Sequence, residues 1–113
     1  MDTGNSGGVS MDRDEFMRFH EAFCEKARGI SRAKNQDYAG HSDPFANFRR
    51  CEQLALCTTE VGIMVRMSDK FQRIANYMNN GKLSVQDEKV DDTLLDLCNY
   101  AIILAAYIAA KQR

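Results

Sequence analysis

At 113 residues the chain has the length of one domain, enough for a core yet small enough that self-association often completes it. Fifteen Lys and Arg against sixteen Asp and Glu leave a formal charge of −1, which gives no electrostatic drive toward nucleic acid or an anionic membrane. Cys24, Cys51, Cys57 and Cys98 form no C-x-x-C pair and three fall in apolar helical patterns, so reduced thiols and a cytoplasmic location are expected rather than a disulfide scaffold.

The first ten residues, MDTGNSGGVS, have neither the basic nor the apolar region of a signal peptide and read as a disordered leader, leaving 11–113 as a single helical domain. A first helix is expected from about Met11 to Lys34. Asp12 and Glu15 form a capping-box start, and Phe16, Phe19, Phe23, Ala27 and Ile30 recur at helical spacing. His20 lies on that stripe and reads as a core histidine. The stretch KNQDYAGHSDPF then breaks the pattern, so 34–45 is expected to be a long connection before Asp43-Pro44 opens a short helix through about Leu56.

Thr58 or Thr59 caps a third helix, on which Ile63, Met64, Met67, Phe71, Ile74 and Met78 share a face until NNG ends it at Gly81. Ser84, with Asp87 three residues on, caps a fourth helix that continues toward the C-terminus. No stretch alternates with period two, so the expected fold class is all-α, a four-helix architecture with the third and fourth helices antiparallel. The apolar run Ala101–Ala110 is about half of the roughly 20 residues that cross a bilayer, so a soluble protein with no membrane contact is expected.

The fourth helix places Leu94, Leu97, Cys98, Ala101, Leu104, Ala105 and Ile108 in one core stripe, away from a face bearing Glu88, Asp92, Asp96 and Asn99. That acidic face continues into Ile102, Ile103, Ala106 and Ala110, so its acids are expected to look onto a cavity or a subunit boundary. Acids at 87, 88 and 91 also complement the helix dipole, but Asp96 is three turns in and beyond its reach. Glu60 projects with Met64, Met67 and Phe71, where a lone carboxylate is costly unless paired or metal-bound. Carboxylates from two helices, without thiolate or His at ligand spacing, suit Mg²⁺ or Mn²⁺, and such an ion seeks phosphate oxygens. Lys70, at the flank of the third helix, is placed to reach a phosphate, while Arg66 and Arg73 read as a surface ion-pair ladder with Asp69.

Three stretches, KNQDYAGHSDPFANF (34–48), RMSDKFQRI (66–74) and DEKVDDTLLDLCNYAII (87–103), resemble the nucleotide modification associated domain 1 family of bacteriophages and prophages. More distantly, Glu60-Val61-Gly62 and Asp92-Thr93-Leu94-Leu95-Asp96-Leu97 are similar to the acidic motifs of MazG-like all-α nucleoside triphosphate pyrophosphohydrolases, in which E-x-x-E and E-x-x-D helices hold Mg²⁺ against the triphosphate. The resemblance implies a MazG-like bundle, completed by forming a homodimer or homotetramer, that hydrolyses a (deoxy)nucleoside triphosphate to monophosphate and pyrophosphate. It also implies a role in shaping the nucleotide pool for phage DNA synthesis or base modification, in the host cytoplasm and without direct contact to nucleic acid.

Carried over by position, Glu60 matches the first acid of E-x-x-E and Asp96 the last acid of E-x-x-D, while Ile63 and Thr93 stand where the other two acids belong. Glu88 and Asp92 offer replacement oxygens. In that reading Glu60, Glu88, Asp92 and Asp96 share metal and base duties. Lys34 and Lys70 bind phosphate, Asn35, Asp37 or Asn47 meets base or sugar, Tyr38, Phe45 or Phe48 stacks, and Asn99 contacts the ligand or orients Asp96. The same residues allow a nucleotide-binding or regulatory module that lost turnover with the acids at 63 and 93. They also allow a helical oligomerisation adaptor, whose last helix ends in an interface.

Overall fold

The structure, a computed structural model, describes residues 8–37, 43–81 and 89–113, and the side chain of Asp37 lies outside that description. Four helices form: α1 (Arg13–Asp37), α2 (Ala46–Gln53), α3 (Thr59–Asn80) and α4 (Val90–Lys111). The all-α expectation holds, with no strand among the described residues.

Local chemistry sets the ends of these helices. Asp12 Oδ1 accepts from the Glu15 N–H at 2.8 Å and Glu15 Oε1 accepts from the Asp12 N–H at 3.3 Å, the reciprocal capping box. The Glu15 N–H, a donor to the charged form, holds the Asp12 carboxyl below its usual range. Contrary to the expected break at Lys34, α1 continues to Asp37, with Asn35 Nδ2 donating back to the Ser31 carbonyl at 2.8 Å. Asp43 Oδ1 accepts from the Phe45 N–H ahead of α2, which ends at Gln53 rather than Leu56, and Ala55 follows at φ 60°. Thr58 caps α3 by accepting from the Val61 N–H at 3.2 Å, and Gly81 at φ 74° closes it with its N–H on the Tyr77 carbonyl. Lys89 precedes α4 without a side-chain cap. The expected Ser84 cap lies outside the described residues, as do residues 1–7 of the leader.

The centre of the molecule is the antiparallel α3–α4 pair, in which Glu60 meets Lys111 at one end and Lys70 meets Asp96 toward the other. Ile63, fully buried, packs with Phe48 of α2 and Tyr107 of α4, flanked by Phe45, Met67, Tyr100, Ile103 and Leu104. Buried Gly62 faces α2, where a Cβ would meet Cys51 Sγ at 3.5 Å, an ordinary contact. Glu52 then fixes the approach by accepting from the N–H (2.9 Å) and hydroxyl (3.3 Å) of buried Thr59. Phe45 meets Tyr107 edge-on at 5.2 Å, and Arg49, paired with Asp43, lies over both rings. That Asp43 partner, through its hydrogen bond, raises the Arg49 guanidinium above its usual value. α1 crosses α4, tied by Asn99 Nδ2 donating to the carbonyl of buried Ala27 at 3.0 Å.

Several apolar side chains expected in the core are outside it. On α4, Cys98, Ala101, Ala105 and Ile108 are exposed, and the buried side is Thr93, Leu95 and Tyr107. The rings of Tyr100 and Tyr107 pack against α2 and α3, and of the continuation of the acidic face Ile103 and Ala110 are half-buried while Ile102 and Ala106 stay exposed, against the burial expected of all four. On α3, Ile63, Met67 and Ile74 point inward while Met64, Phe71 and Met78 remain exposed. Phe16, Phe19 and His20 of α1 are also exposed, and cover on α1 begins at half-buried Phe23 and is deepest at Ala27, so His20 is not a core histidine. By length and composition, all 22 residues of α4 together are long and apolar enough to cross a membrane, although Asp91, Asp92 and Asp96 occupy its first half.

Candidate functional site

A cavity of about 280 Å³ opens where the second half of α1, the 44–48 segment, the middle of α3 and the middle of α4 converge. Its polar lining includes Lys34, Asn35, Asn47, Arg66, Asp96 and Asn99, and its apolar walls are Phe45, Phe48, Tyr100, Ile102 and Ile103. The Phe48 and Tyr100 rings meet edge-on at 6.1 Å, and the Arg66 guanidinium lies over Phe48 at 5.7 Å from the ring centre. A flat face, a fixed cation and several amides therefore border one space. The volume is near the lower end of the roughly 300–1,000 Å³ typical of small-molecule sites.

Asp96 is the acid at this cavity, and two lysines hold it. Lys70 Nζ stands 3.2 Å from Oδ2 and Lys34 Nζ 3.5 Å from Oδ1, so one carboxylate bridges α1 and α3. The Lys70 side chain is only 17 % exposed, which makes its pairing a response to burial, whereas Lys34 is largely in solvent. With Arg66, the described residues at and beside the cavity carry three cations against one carboxylate, an excess that suits an anionic ligand.

The amides divide by what they already hold. Asn99 and Asn35 each spend one Nδ2 N–H on the backbone of α1, which leaves Oδ1 and the second N–H of each amide. Asn99 therefore fastens α1 to α4 rather than orienting Asp96. Asn47, exposed at the rim, retains both a donor and an acceptor.

Of the residues singled out in the sequence, Lys34, Asn35, Asn47, Asp96 and Asn99 meet at this cavity, and Lys70 reaches it through Asp96. Glu60 does not join them. Its Oε2 accepts from Lys111 Nζ at 2.6 Å, and this hydrogen bond lowers the Glu60 carboxyl and raises the Lys111 ammonium from their usual values. Ten residues of α3, about 15 Å of helix rise, separate Glu60 from the Lys70 that meets Asp96, so one ion cannot bridge Glu60 and Asp96 of one chain. Asp92 is exposed one turn before Asp96. Glu88, Tyr38 and the Asp37 side chain lie outside the described residues.

The positions of the two absent motif acids are themselves informative. Ile63 is 0 % exposed within the α2–α3–α4 packing and Thr93, near the start of α4, is 3 % exposed, so an acid at either would be buried. Among the described residues, no three His, Cys, Asp or Glu side chains gather as metal ligands. The described donor set thus does not fit a divalent ion held as the MazG-like resemblance implies.

The cavity is also lined by Arg66, which the sequence reading placed in a surface ladder, and by Tyr100, to which it gave no role. Arg66 precedes Lys70 by one helical turn and so lies on the same flank, a proximity outweighed in the sequence by its ladder spacing to Asp69 and Arg73. No family model, curated protein or solved structure matches this chain.

Proposed function

We propose that the chain is a nucleotide-binding protein and that the α1–α3–α4 cavity is its site. The observation that supports this reading is the convergence of Lys34 and Arg66 with the rings of Phe48 and Tyr100 around one space, with Lys70 behind it on Asp96. Cations serve phosphates as direct partners, ring faces serve a heterocycle, and the amide groups of Asn35, Asn47 and Asn99 serve its polar edge. Base and sugar fit the cavity volume, and the phosphates extend toward Lys34 and Lys70, competing there with Asp96.

Hydrolysis of a (deoxy)nucleoside triphosphate to monophosphate and pyrophosphate, with Mg²⁺ or Mn²⁺, is the second reading. It is favoured by Asp92 and Asp96 standing one turn apart on α4, with Glu88 one turn earlier in the sequence. No step through a metal follows from the donors described, so the two readings are separated by experiment. Thermal unfolding and calorimetric titration are run with each common NTP and dNTP, first in EDTA and then with Mg²⁺ or Mn²⁺ while resolving mono- from diphosphate. Binding in EDTA without product supports the site as a binding module. Monophosphate and pyrophosphate appearing only with the metal selects the hydrolase. A melting temperature that no nucleotide moves, with or without metal, overturns both, because a ligand that binds the folded state must stabilise it.

A further inference from the structure

The corner between α2 and α3 holds two thiols that the nucleotide cavity does not use. Cys51 lies in the last turn of α2, and Cys57 follows just before Thr58, the cap of α3. The chain between them turns back on itself through Ala55 at φ 60°, and the Cys51 carbonyl accepts from the N–H groups of both Leu56 (2.9 Å) and Cys57 (3.4 Å). With standard bond lengths the second of these hydrogen bonds holds the two Cα atoms no more than roughly 7 Å apart, and closer at any bend, which is the span that a disulfide needs. The side chains converge as well. Cys51 Sγ points to the start of α3, where a Cβ on Gly62 would stand 3.5 Å away, and the Cys57 thiol adjoins the Cys51 sulfur as a hydrogen-bonding neighbour. Burial, and after it the adjoining Cys51, push the Cys57 thiol up from its usual value. Both residues are half-buried, whereas Cys24 and Cys98 stand exposed on α1 and α4.

We propose that Cys51 and Cys57 form a reversible dithiol–disulfide site whose oxidant is a small-molecule disulfide such as oxidised glutathione. Two exchanges complete the reaction. The Cys51 thiolate attacks one sulfur of the oxidant, forming a mixed disulfide and releasing a small thiolate that takes up the proton Cys51 gave. The Cys57 thiolate then attacks the Cys51 sulfur of that mixed disulfide, forming the protein disulfide and releasing a second small thiolate, which takes up the proton of Cys57. The protein loses two electrons and two protons, and the oxidant becomes two small thiols. Cys57 acts second because its raised thiol holds little thiolate, and a mixed disulfide on its neighbour makes the attack intramolecular. The bond closes a corner already drawn together by the Cys51 carbonyl and by Glu52, which accepts from the Thr59 N–H, so it forms without moving α2 or α3. The nucleotide reading is not needed for any of this.

The test is a glutathione redox titration of the unsubstituted full chain, with free thiols trapped by iodoacetamide and the tryptic peptides weighed. No Lys or Arg lies between Cys51 and Cys57, so both fall in the peptide from Cys51 to Arg66, and their disulfide leaves it two hydrogens lighter. Oxidised glutathione is expected to produce that peptide with an unchanged helical circular dichroism spectrum, and reduced glutathione to reverse it. The same titration in urea keeps the spacing in sequence and removes the fold, and the folded chain is expected to favour the disulfide at least tenfold more. Equal constants in the two conditions, glutathione left on the 51–66 peptide, a bond from either cysteine to Cys24 or Cys98 in its place, or loss of helix overturns the proposal. Single variants read the order of attack. Cys57→Ser is expected to stop with glutathione on Cys51, and Cys51→Ser to take up glutathione on Cys57 at least tenfold more slowly, while equal rates overturn the two-step scheme.

Discussion

Asp96→Asn separates a cation-lined binding site from a carboxylate-dependent one, because the two respond in opposite directions. The substitution keeps the shape of the side chain and removes the negative charge held among Lys34, Lys70 and Arg66, so these four described residues go from a formal +2 to +3. A cavity of 280 Å³ corresponds to a sphere of about 4 Å radius, which puts a phosphate entering from the lysine side roughly 6 Å from Asp96. Two unit charges at that distance in water repel by about 0.7 kcal/mol, and salt screening reduces this to about 0.3 kcal/mol. Summed over three to four phosphate charges, the relief is about 1 kcal/mol, or roughly a fivefold lower Kd. The assay is calorimetric titration of both proteins with a dNTP in EDTA, with circular dichroism as the check on folding. Tighter binding by Asp96→Asn is the expected result. A Kd unchanged within twofold refutes the assignment of the cavity as the phosphate-proximal site, and weaker binding refutes the claim that Asp96 competes with the ligand.

Three further outcomes test the packing and electrostatics. Ile63→Ala, at a fully buried position, is expected to lose about 2–5 kcal/mol in denaturant unfolding, and a loss below 1 kcal/mol would mean that the α2–α3–α4 core is loose. Ala55→Gly relieves a left-handed backbone at φ 60° and is expected to gain about 1 kcal/mol, raising the melting temperature by about 4–8 °C; no gain would place Ala55 in another conformation in solution. Glu60 titrates below its usual range when folded, so its pairing with Lys111 stabilises above the usual carboxylate pKa and is lost as pH falls through the depressed value. The acid limb of the stability–pH curve is therefore expected to be shallower in Glu60→Gln, and identical limbs would remove Glu60 from the titration.

How much of this was legible in the sequence depended on whether the signal was local. The capping box at Asp12 and Glu15, the Thr58 cap and the Gly81 stop act over a few residues, and each appears where the spacing placed it. Which apolar face turns inward is a tertiary choice. Met64 and Ile63 are neighbours on α3 and equally apolar, yet only Ile63 is covered, because α2 and Tyr107 arrive on its side. The site divided along the same line. Asp96 and Lys70 were visible as a buried-looking acid and a flanking cation, but their salt bridge depends on the antiparallel register of α3 and α4. That register sends Glu60 to Lys111 instead. Position matching to a motif carries no such information, which is why Glu60 and Asp96 read as partners in the sequence and stand apart in the fold.

The claim that the cavity receives a nucleotide is tested most directly by following the side-chain amide resonances of Asn35, Asn47 and Asn99 in an ¹⁵N-labelled chain during titration with a dNTP. Gln72, which donates to Asn76 on the exposed side of α3, and Gln112 at the end of α4 serve as internal references. Saturable shifts at the three asparagines with still references are the predicted result. Asparagine signals that stay in place while the nucleotide binds, or that move no more than those of Gln72 and Gln112, would contradict the assignment of the cavity.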